Sequence, residues 1–121
     1  MDRFFFLSGA VAAFIAVALG AFGAHSLKTK LSADMLNIFE IGVRYQMYHA
    51  LGLIAVAWAT TRWPDANLNA AGWAFIVGII VFSGSLYLLS ATDIRWLGAI
   101  TPIGGLAFLI GWAILIWSIG R

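Results

Sequence analysis

Four long stretches without a charged residue constrain this chain more than any other feature. The stretches are Phe4–Leu27, Tyr45–Thr61, Ala66–Thr92 and Trp96–Gly120, with 24, 17, 27 and 25 residues. A helix needs about 20 predominantly apolar residues to cross a bilayer. The second stretch reaches that length when the residues from Asp34 to Arg44 are added to it. The sequence therefore predicts an all-α integral membrane bundle of four transmembrane helices, at about residues 4–25, 34–62, 69–90 and 97–119.

The composition agrees with a membrane protein and excludes several other classes. Of the 121 residues, 63% are hydrophobic and only 10% are charged. A soluble domain of this size buries too little of its surface to hide so many apolar side chains. The net charge of +2 comes from scattered Lys and Arg residues, which form no nucleic-acid-binding patch. We expect one domain over residues 1–121, and the absence of Cys leaves no disulfide or thiolate chemistry.

Ionisable side chains enter a membrane-length helix only in the second predicted span. On a helical wheel of about 100° per residue, one arc carries Asn37, Glu40, Arg44, Tyr45, Tyr48 and His49. The opposite arc carries Leu36, Phe39, Val43, Met47 and Ile54. A charge in hydrocarbon costs at least about 2.5–3.5 kcal/mol, so charged residues seldom face lipid. We therefore expect the polar arc to face the inside of the bundle and the apolar arc to face lipid.

Two spacings within this polar arc predict specific contacts. Glu40 and Arg44 are four residues apart, and so are Tyr45 and His49, so each pair can interact along one helix. We expect Arg44 and His49 to lie inside the bundle, with Glu40 as the counter-charge of Arg44. A hydroxyl of Tyr45 or Tyr48 would then reach His49 or a backbone carbonyl. The predicted ligand-binding or interhelical polar cluster is completed by His25, Ser83, Ser85, Tyr87 and Thr101.

Small residues predict where helices approach one another closely. Ala12, Ala16, Gly20 and Ala24 recur every four residues and form a stripe on the first helix, a pattern typical of membrane helix packing. Gly104 and Gly105 offer the same on the fourth helix. Thr101-Pro102 has two interpretations: Thr101 caps a helix that starts at Pro102, or Pro102 kinks a helix that has already begun. We favour the kink, because the other start leaves a short span.

Five motifs resemble those of a small membrane-protein family. They are Gly20-Ala21-Phe22-Gly23-Ala24-His25, Tyr45-Gln46-Met47-Tyr48-His49-Ala50-Leu51, Phe82-Ser83-Gly84-Ser85-Leu86-Tyr87, Thr101-Pro102-Ile103-Gly104-Gly105 and Gly111-Trp112. Together they resemble the family called domain of unknown function 423, which is related to the eukaryotic transmembrane protein 256 group. Asp93 departs from the family, which has Gly there. The resemblance implies a multi-pass protein of a bacterial inner membrane or a mitochondrial-type membrane, and it brings no established activity.

The residues indicate no catalytic site. No metal-ligand spacing, phosphate-binding loop or nucleophile motif occurs, so we expect neither an enzyme nor a metal nor a cofactor. His25 and His49 differ in depth, which disfavours a haem held between them. The leading interpretation is a structural or accessory subunit of a membrane assembly. The alternatives are a binder of a lipid headgroup, quinone or other amphipathic ligand, and a small proton or solute pathway in an oligomer.

A cavity would distinguish these three interpretations. A polar cavity open to both sides of the membrane favours transport, one open laterally to lipid favours ligand binding, and none favours structure. The expected partners are the lipid bilayer, further copies of this chain or other membrane proteins, and a bound lipid. Four spans put both termini on one side, and Lys and Arg are almost evenly divided between the sides. The basic C-terminal extensions of the resembling family favour cytoplasmic termini.

Overall fold

A computed structural model describes the backbone of all 121 residues and every side chain except that of Ala24. The chain forms four long helices: α1 (Asp2–Leu27), α2 (Ala33–Arg62), α3 (Asn69–Thr92) and α4 (Arg95–Gly120). The described residues include no strand. By length and composition, α1, α3 and α4 can each cross a membrane. The predicted all-α membrane bundle is confirmed.

The helix α2 runs through the same thickness as α1, although charged residues in its N-terminal half make it less apolar. The two helices are antiparallel and touch along most of their length. The neighbouring pairs are Gly9 with Ala50, Ala12 with Gln46, Gly20 with Val43 and Gly23 with Phe39. Because α1 is a membrane span, its antiparallel neighbour crosses the membrane beside it. The bundle thus has four spans joined by short loops, with each span antiparallel to the next.

Local chemistry explains where α2 and α4 begin. The Ser32 side chain accepts a hydrogen bond from the Met35 backbone N–H at 3.2 Å and caps α2. Before Pro102, the chain winds as a 3₁₀ turn over Arg95–Ala99, and regular α-helix starts at Thr101. The prediction of a kink at Pro102 is therefore wrong. Proline in a first helical turn loses no hydrogen bond, because the N–H groups there have no intrahelical partner.

The helix α3 ends at a residue with left-handed backbone. Asp93 has a φ of 57°, in the region that Gly adopts with least strain. This is the position at which the resembling family has Gly. Asp tolerates the conformation better than most residues, and its carboxylate pairs with the Arg95 guanidinium at 2.9 Å. The departure at Asp93 therefore leaves the turn between α3 and α4 intact.

Helix α2 occupies the centre of the bundle, and its buried face contacts all three other helices. The fully buried core on that side includes Phe5, Leu53, Val56 and Phe75. The helices α3 and α4 approach each other closely at Gly104, where a Cβ atom would lie 2.4 Å from the Phe82 backbone nitrogen. Gly104 therefore allows these two helices to cross. The adjacent Gly105 has more room.

The small-residue stripe on α1 is distributed over several environments. Ala16 is buried, Ala12 is half-buried, and Gly20 is exposed at its position near Val43. The side chain of Ala24 lies outside the described residues. The helix α1 approaches α2 closely at Gly9, where a Cβ atom would lie 2.6 Å from the Ala50 carbonyl oxygen. The seam between α1 and α2 therefore begins nearer the N-terminus than the stripe.

Candidate functional site

A groove opens between α1 and α3, with α2 as its floor. The two parallel helices touch at one end, where the Phe5 ring lies against Gly72 and the Phe4 ring lies 5.3 Å from that of Trp73. Beyond this contact, the groove encloses about 640 Å³. Its lining consists of Phe4, Leu7, Ser8, Val11, Ala12 and Ile15 from α1, Gln46 and Leu53 from α2, and Ile76, Ile79, Ile80, Gly84 and Tyr87 from α3.

The groove opens laterally, towards the surroundings of the helix bundle. Leu7, Val11 and Ile80 form its rim, and each has about half or more of its surface exposed. In a membrane-spanning bundle, such an opening faces lipid. The lining includes no Asp, Glu, Lys, Arg or His, and its polar side chains are Ser8, Gln46 and Tyr87. Binding pockets for small ligands have the same character, an apolar wall with a few placed polar groups.

A chain of hydrogen bonds crosses the floor of the groove. The Gln46 Nε2 atom donates to the Ala12 carbonyl at 2.8 Å, and the Tyr87 hydroxyl donates to Gln46 Oε1 at 2.7 Å. Gln46 is buried, so these two bonds satisfy polar atoms that would otherwise be costly in an apolar medium. They also tie α1, α2 and α3 together at one depth.

The side chains in this chain of hydrogen bonds still have free donors and acceptors. Gln46 has a second amide N–H and a second lone pair on Oε1, and the Tyr87 oxygen can still accept. The Ser8 hydroxyl makes no hydrogen bond to any side chain or carbonyl that the structure describes. The groove therefore offers both donors and acceptors to a ligand, and it offers no charge.

A π-helical turn over Ile79–Ser83 shapes the α3 wall of the groove. Such turns insert one extra residue into a helix and are frequent at functional sites. Ile79 and Ile80 of this turn line the groove, and the buried Ser83 hydroxyl donates to the Gly42 carbonyl at 2.6 Å. The turn thus anchors α3 to α2 at the end of the groove. A second π-helical turn lies in α1, over Leu19–Gly23.

His49 lies in an aromatic cluster on another face of α2. Its Nδ1 atom is 2.8 Å from the Tyr45 carbonyl oxygen, and Trp112 Nε1 donates to its Nε2 at 3.0 Å. Because a carbonyl accepts only and the indole N–H donates only, the ring is neutral with its proton on Nδ1. The ring also stacks on that of Phe108, with a centroid separation of 3.5 Å. Both nitrogens of His49 are thus engaged inside the protein.

The expectation that a hydroxyl of Tyr45 or Tyr48 reaches His49 is wrong. Tyr45 binds His49 through its backbone carbonyl, and the side-chain partner of His49 is Trp112. The Tyr45 and Tyr48 side chains are exposed, with their rings 5.4 Å apart. Their aromatic surfaces suit the outside of a membrane bundle near its polar boundary, where Tyr is enriched.

The expected interior position of Arg44 is also wrong. Its side chain is 55% exposed and lies 3.8 Å from the Glu40 carboxylate, so the ion pair is on the outside of α2. The buried face of α2 includes Met35, Phe39, Gly42, Gln46 and Leu53 and is centred opposite Arg44. Phe39, expected to face lipid, is buried against Tyr87. Apolar and small side chains fill the interior better than the long charged ones, which extend outwards.

The remaining residues of the predicted polar cluster lie in separate parts of the bundle. The Ser85 and Thr101 hydroxyls form a hydrogen bond of 2.6 Å between α3 and α4, and His25 is exposed at the end of α1. The predicted cluster therefore does not form one site. Tyr87 lines the groove, Ser83 anchors its wall, and the others lie elsewhere. Among the described residues, no three side chains of His, Asp or Glu come together as metal ligands do.

Two residues of these networks were missing from the predicted cluster. Gln46 lies on the arc assigned to lipid, and the sequence points to Trp112 only through the Gly111-Trp112 motif. Gln46 could have been found, because an amide within an apolar stretch of a membrane span requires hydrogen-bond partners. The pairing of Trp112 with His49 depends on the rotation of α4, which has little sequence pattern because it is apolar all round.

Comparison with known proteins identifies the relatives of this bundle. The family model described as "Protein of unknown function (DUF423)" matches residues 19–105, more than two thirds of the chain. The chain belongs to the DUF423 family. A UPF0382 membrane protein of Staphylococcus saprophyticus is 49% identical over 114 residues, which cover 94% of each chain. The Bacillus subtilis UPF0382 membrane protein YwdK is 48% identical over 115 residues, again 94% of each chain.

A UPF0382 membrane protein of Staphylococcus aureus is 52% identical over 114 residues, covering 94% of this chain and 93% of that protein. No solved structure matches the chain. The expected family and the expected small multi-pass membrane protein are confirmed. The DUF423 match includes the α2 floor and the α3 wall of the groove, while the α1 wall precedes residue 19.

Proposed function

We propose that this DUF423 protein binds one uncharged, lipid-soluble molecule in the groove between α1 and α3. The ligand has a long apolar chain and a carbonyl or hydroxyl group, as quinones and isoprenoid alcohols do. The groove itself carries the proposal: about 640 Å³ open to lipid, apolar walls, no charged side chain, and the Gln46–Tyr87 pair at its floor. This lateral opening is the feature that favours ligand binding over transport and over a purely structural role.

The dimensions of the groove suit a chain-like ligand. Along α1, it extends from Phe4 to Ile15, which is about 16 Å at 1.5 Å per residue. This is about half of a 30 Å hydrocarbon core, the depth of one leaflet. Ligand sites in proteins commonly enclose about 300–1,000 Å³. A single apolar chain fits a space of this length and volume.

The polar side chains at the floor of the groove, Gln46 and Tyr87, would recognise the polar group of the ligand. A ligand carbonyl would accept from the free N–H of Gln46, and a ligand hydroxyl would donate to the oxygen of Tyr87 or Gln46. A charged headgroup would find no counter-charge in the lining. The proposal therefore specifies a neutral ligand, whose polar group lies at the Gln46–Tyr87 pair.

The other two interpretations have less support. The groove extends over only part of the membrane thickness, and His49 lies outside its lining with both ring nitrogens engaged. These features give no continuous proton or solute path. A structural or accessory role accounts for the satisfied hydrogen bonds but leaves the groove without a purpose. That role becomes the better account if the groove binds nothing but bulk lipid.

The test fills the groove at Gly84. Gly84 lines the groove, and a Cβ atom there would meet nothing within 4 Å, so Gly84→Leu is expected to occupy part of the space. We expect the wild-type protein, purified in a mild detergent, to retain one neutral apolar molecule per chain. Native mass spectrometry and solvent extraction measure it. We expect Gly84→Leu to remain folded and to lose at least nine tenths of that molecule.

Gly120→Leu is the matched control, because a Cβ atom there also meets nothing within 4 Å and the residue lies far from the groove. It should retain the ligand. Gln46→Leu and Tyr87→Phe should release it in part, through loss of the polar contact. If wild type and Gly84→Leu carry the same molecules in the same amounts, ligand binding in the groove is refuted.

We further propose that both termini are cytoplasmic and that the protein assembles with further copies or other membrane proteins. Large apolar side chains cover the outer faces of α1 and α4, among them Phe14, Ile116 and Trp117. Because the chain has no Cys, single cysteines at residues 2 and 121 would report orientation through labelling from one side of the membrane. Protection of both from an external reagent supports cytoplasmic termini. Monomers alone, at every concentration in mild detergent, would argue against assembly.

A further inference from the structure

The outer face of α2 carries a row of exposed side chains whose polarity changes along the helix. Glu40, Arg44 and Tyr48 are spaced by four residues, and Leu51 continues the row. All four lie within about 80° of the helix circumference, at about 100° per residue. This row is on the side of α2 opposite to Gln46 and Leu53, so it is separate from the groove.

The position of each of these residues along α2 determines how deep it lies in the membrane. The charge-free residues between Arg44 and Arg62 number 17, which is the lower limit for crossing the hydrocarbon core. Arg44 therefore lies at the inner edge of the headgroup region, and Glu40 lies one turn closer to water. Side chains on a helix lean towards its N-terminus, which for α2 is the direction of the water. The guanidinium and the Tyr48 hydroxyl thus reach outwards.

The polar groups of this row keep hydrogen-bonding capacity that no partner among the described residues satisfies. The guanidinium of Arg44 is 3.8 Å from the Glu40 carboxylate, a loose contact, and both side chains are about half exposed. The Tyr48 hydroxyl makes no hydrogen bond to any group that the structure describes. A guanidinium at this depth, facing lipid, is favourable only with an anionic partner at hand.

We propose that this row binds a zwitterionic phospholipid in which a primary ammonium follows the phosphate towards the water. The phosphate contacts Arg44, the ammonium donates to Glu40, a glycerol ester carbonyl accepts from Tyr48, and one acyl chain lies along Leu51. The order of charges carries the assignment: from the membrane core outwards, the protein presents hydroxyl, cation, anion. The lipid presents ester, phosphate, ammonium in the same order. A purely anionic phospholipid would place its only charge beside Glu40 as well as Arg44.

The experiment compares two lipids with the same acyl chains. Delipidated protein in detergent is titrated with dioleoyl phosphatidylethanolamine or dioleoyl phosphatidylglycerol, and native mass spectrometry gives the fraction of chains with one lipid bound. We expect wild type to bind the phosphatidylethanolamine at least about ten-fold more tightly, since a charged hydrogen bond contributes about 1.5–3 kcal/mol. Arg44→Gln should weaken both lipids by about ten-fold or more. Glu40→Gln should weaken only the phosphatidylethanolamine.

Two further variants separate this site from general electrostatics. Arg62→Gln removes an exposed arginine at the other end of α2 and should leave both affinities within about two-fold of wild type. The exchange Glu40→Arg with Arg44→Glu keeps an ion pair on the surface but reverses the charge order, and it should abolish the preference. Equal binding of the two lipids by wild type, or an effect of Arg62→Gln as large as that of Arg44→Gln, would overturn the proposal. The proposal would also be overturned if the protein formed dimers through this row and bound no lipid there.

Discussion

At the scale of single residues, the bond between Trp112 and His49 offers a sharp test of the buried polar chemistry. His49 is 5% exposed, and Trp112 supplies the only side-chain donor that the structure describes for its Nε2. We expect Trp112→Phe to lower the free energy of unfolding by about 1–3 kcal/mol, because it leaves a buried acceptor unpaired. Titration with a denaturing detergent in mixed micelles measures this change.

The double variant His49→Phe/Trp112→Phe should lose less stability than the sum of the two single variants, since neither unpaired partner remains. Trp117→Phe serves as the control, because Trp117 is 70% exposed on the same helix and should change stability by less than about 0.5 kcal/mol. Strict additivity of the two single changes would show that the His49–Trp112 bond contributes nothing.

The same residues show what could be predicted at this scale. A histidine within a membrane span must have partners, so His49 could be expected inside the bundle from the sequence. Arg44 did not follow that rule, because a long side chain near the boundary reaches polar surroundings by itself. The identity of Trp112 as the partner could not be predicted, because it depends on how α4 is rotated against α2.

At the scale of the helices, the crossing of α3 and α4 depends on one glycine of a pair. A Cβ atom at Gly104 would lie 2.4 Å from the Phe82 backbone nitrogen, whereas at Gly105 the nearest atom is 3.8 Å away. We expect Gly104→Ala to be less stable than Gly105→Ala by about 1–3 kcal/mol, since only the first forces backbone apart. Both changes raise helix propensity equally, so that gain cancels in the comparison. Equal stability of the two variants in mixed micelles would refute this crossing.

The sequence patterns predicted the positions of the four helices better than they predicted which face of each helix is buried. Charge-free stretches placed each helix, because the length of a span is fixed by the bilayer. The wheel of α2 assigned its interior to the polar arc, and this failed because Phe39 and Gly42 pack against Tyr87 of α3 instead. In lipid, an apolar residue gains little by facing either side, so the wheel alone does not fix the buried face.

At the scale of the whole molecule, the groove results from the arrangement of three helices. It exists because α1 and α3 meet at Phe5 and Gly72 and leave a space over α2 beyond that contact. No spacing within one helix predicts such a space, which is why the sequence left ligand binding as one of three alternatives. What the sequence did supply is its chemistry, since Tyr87 was already a candidate and the walls are apolar.

The most direct test of ligand binding in the groove is photo-cross-linking from its wall. A diazirine-bearing leucine analogue is placed at Val11, which lines the groove, or at Phe14, which is 76% exposed on another side of α1. After illumination in native membranes, mass spectrometry measures the adducts. We expect one neutral adduct of discrete mass at position 11 and a mixture of bulk phospholipids at position 14. The same phospholipid mixture at both positions would contradict the proposed function.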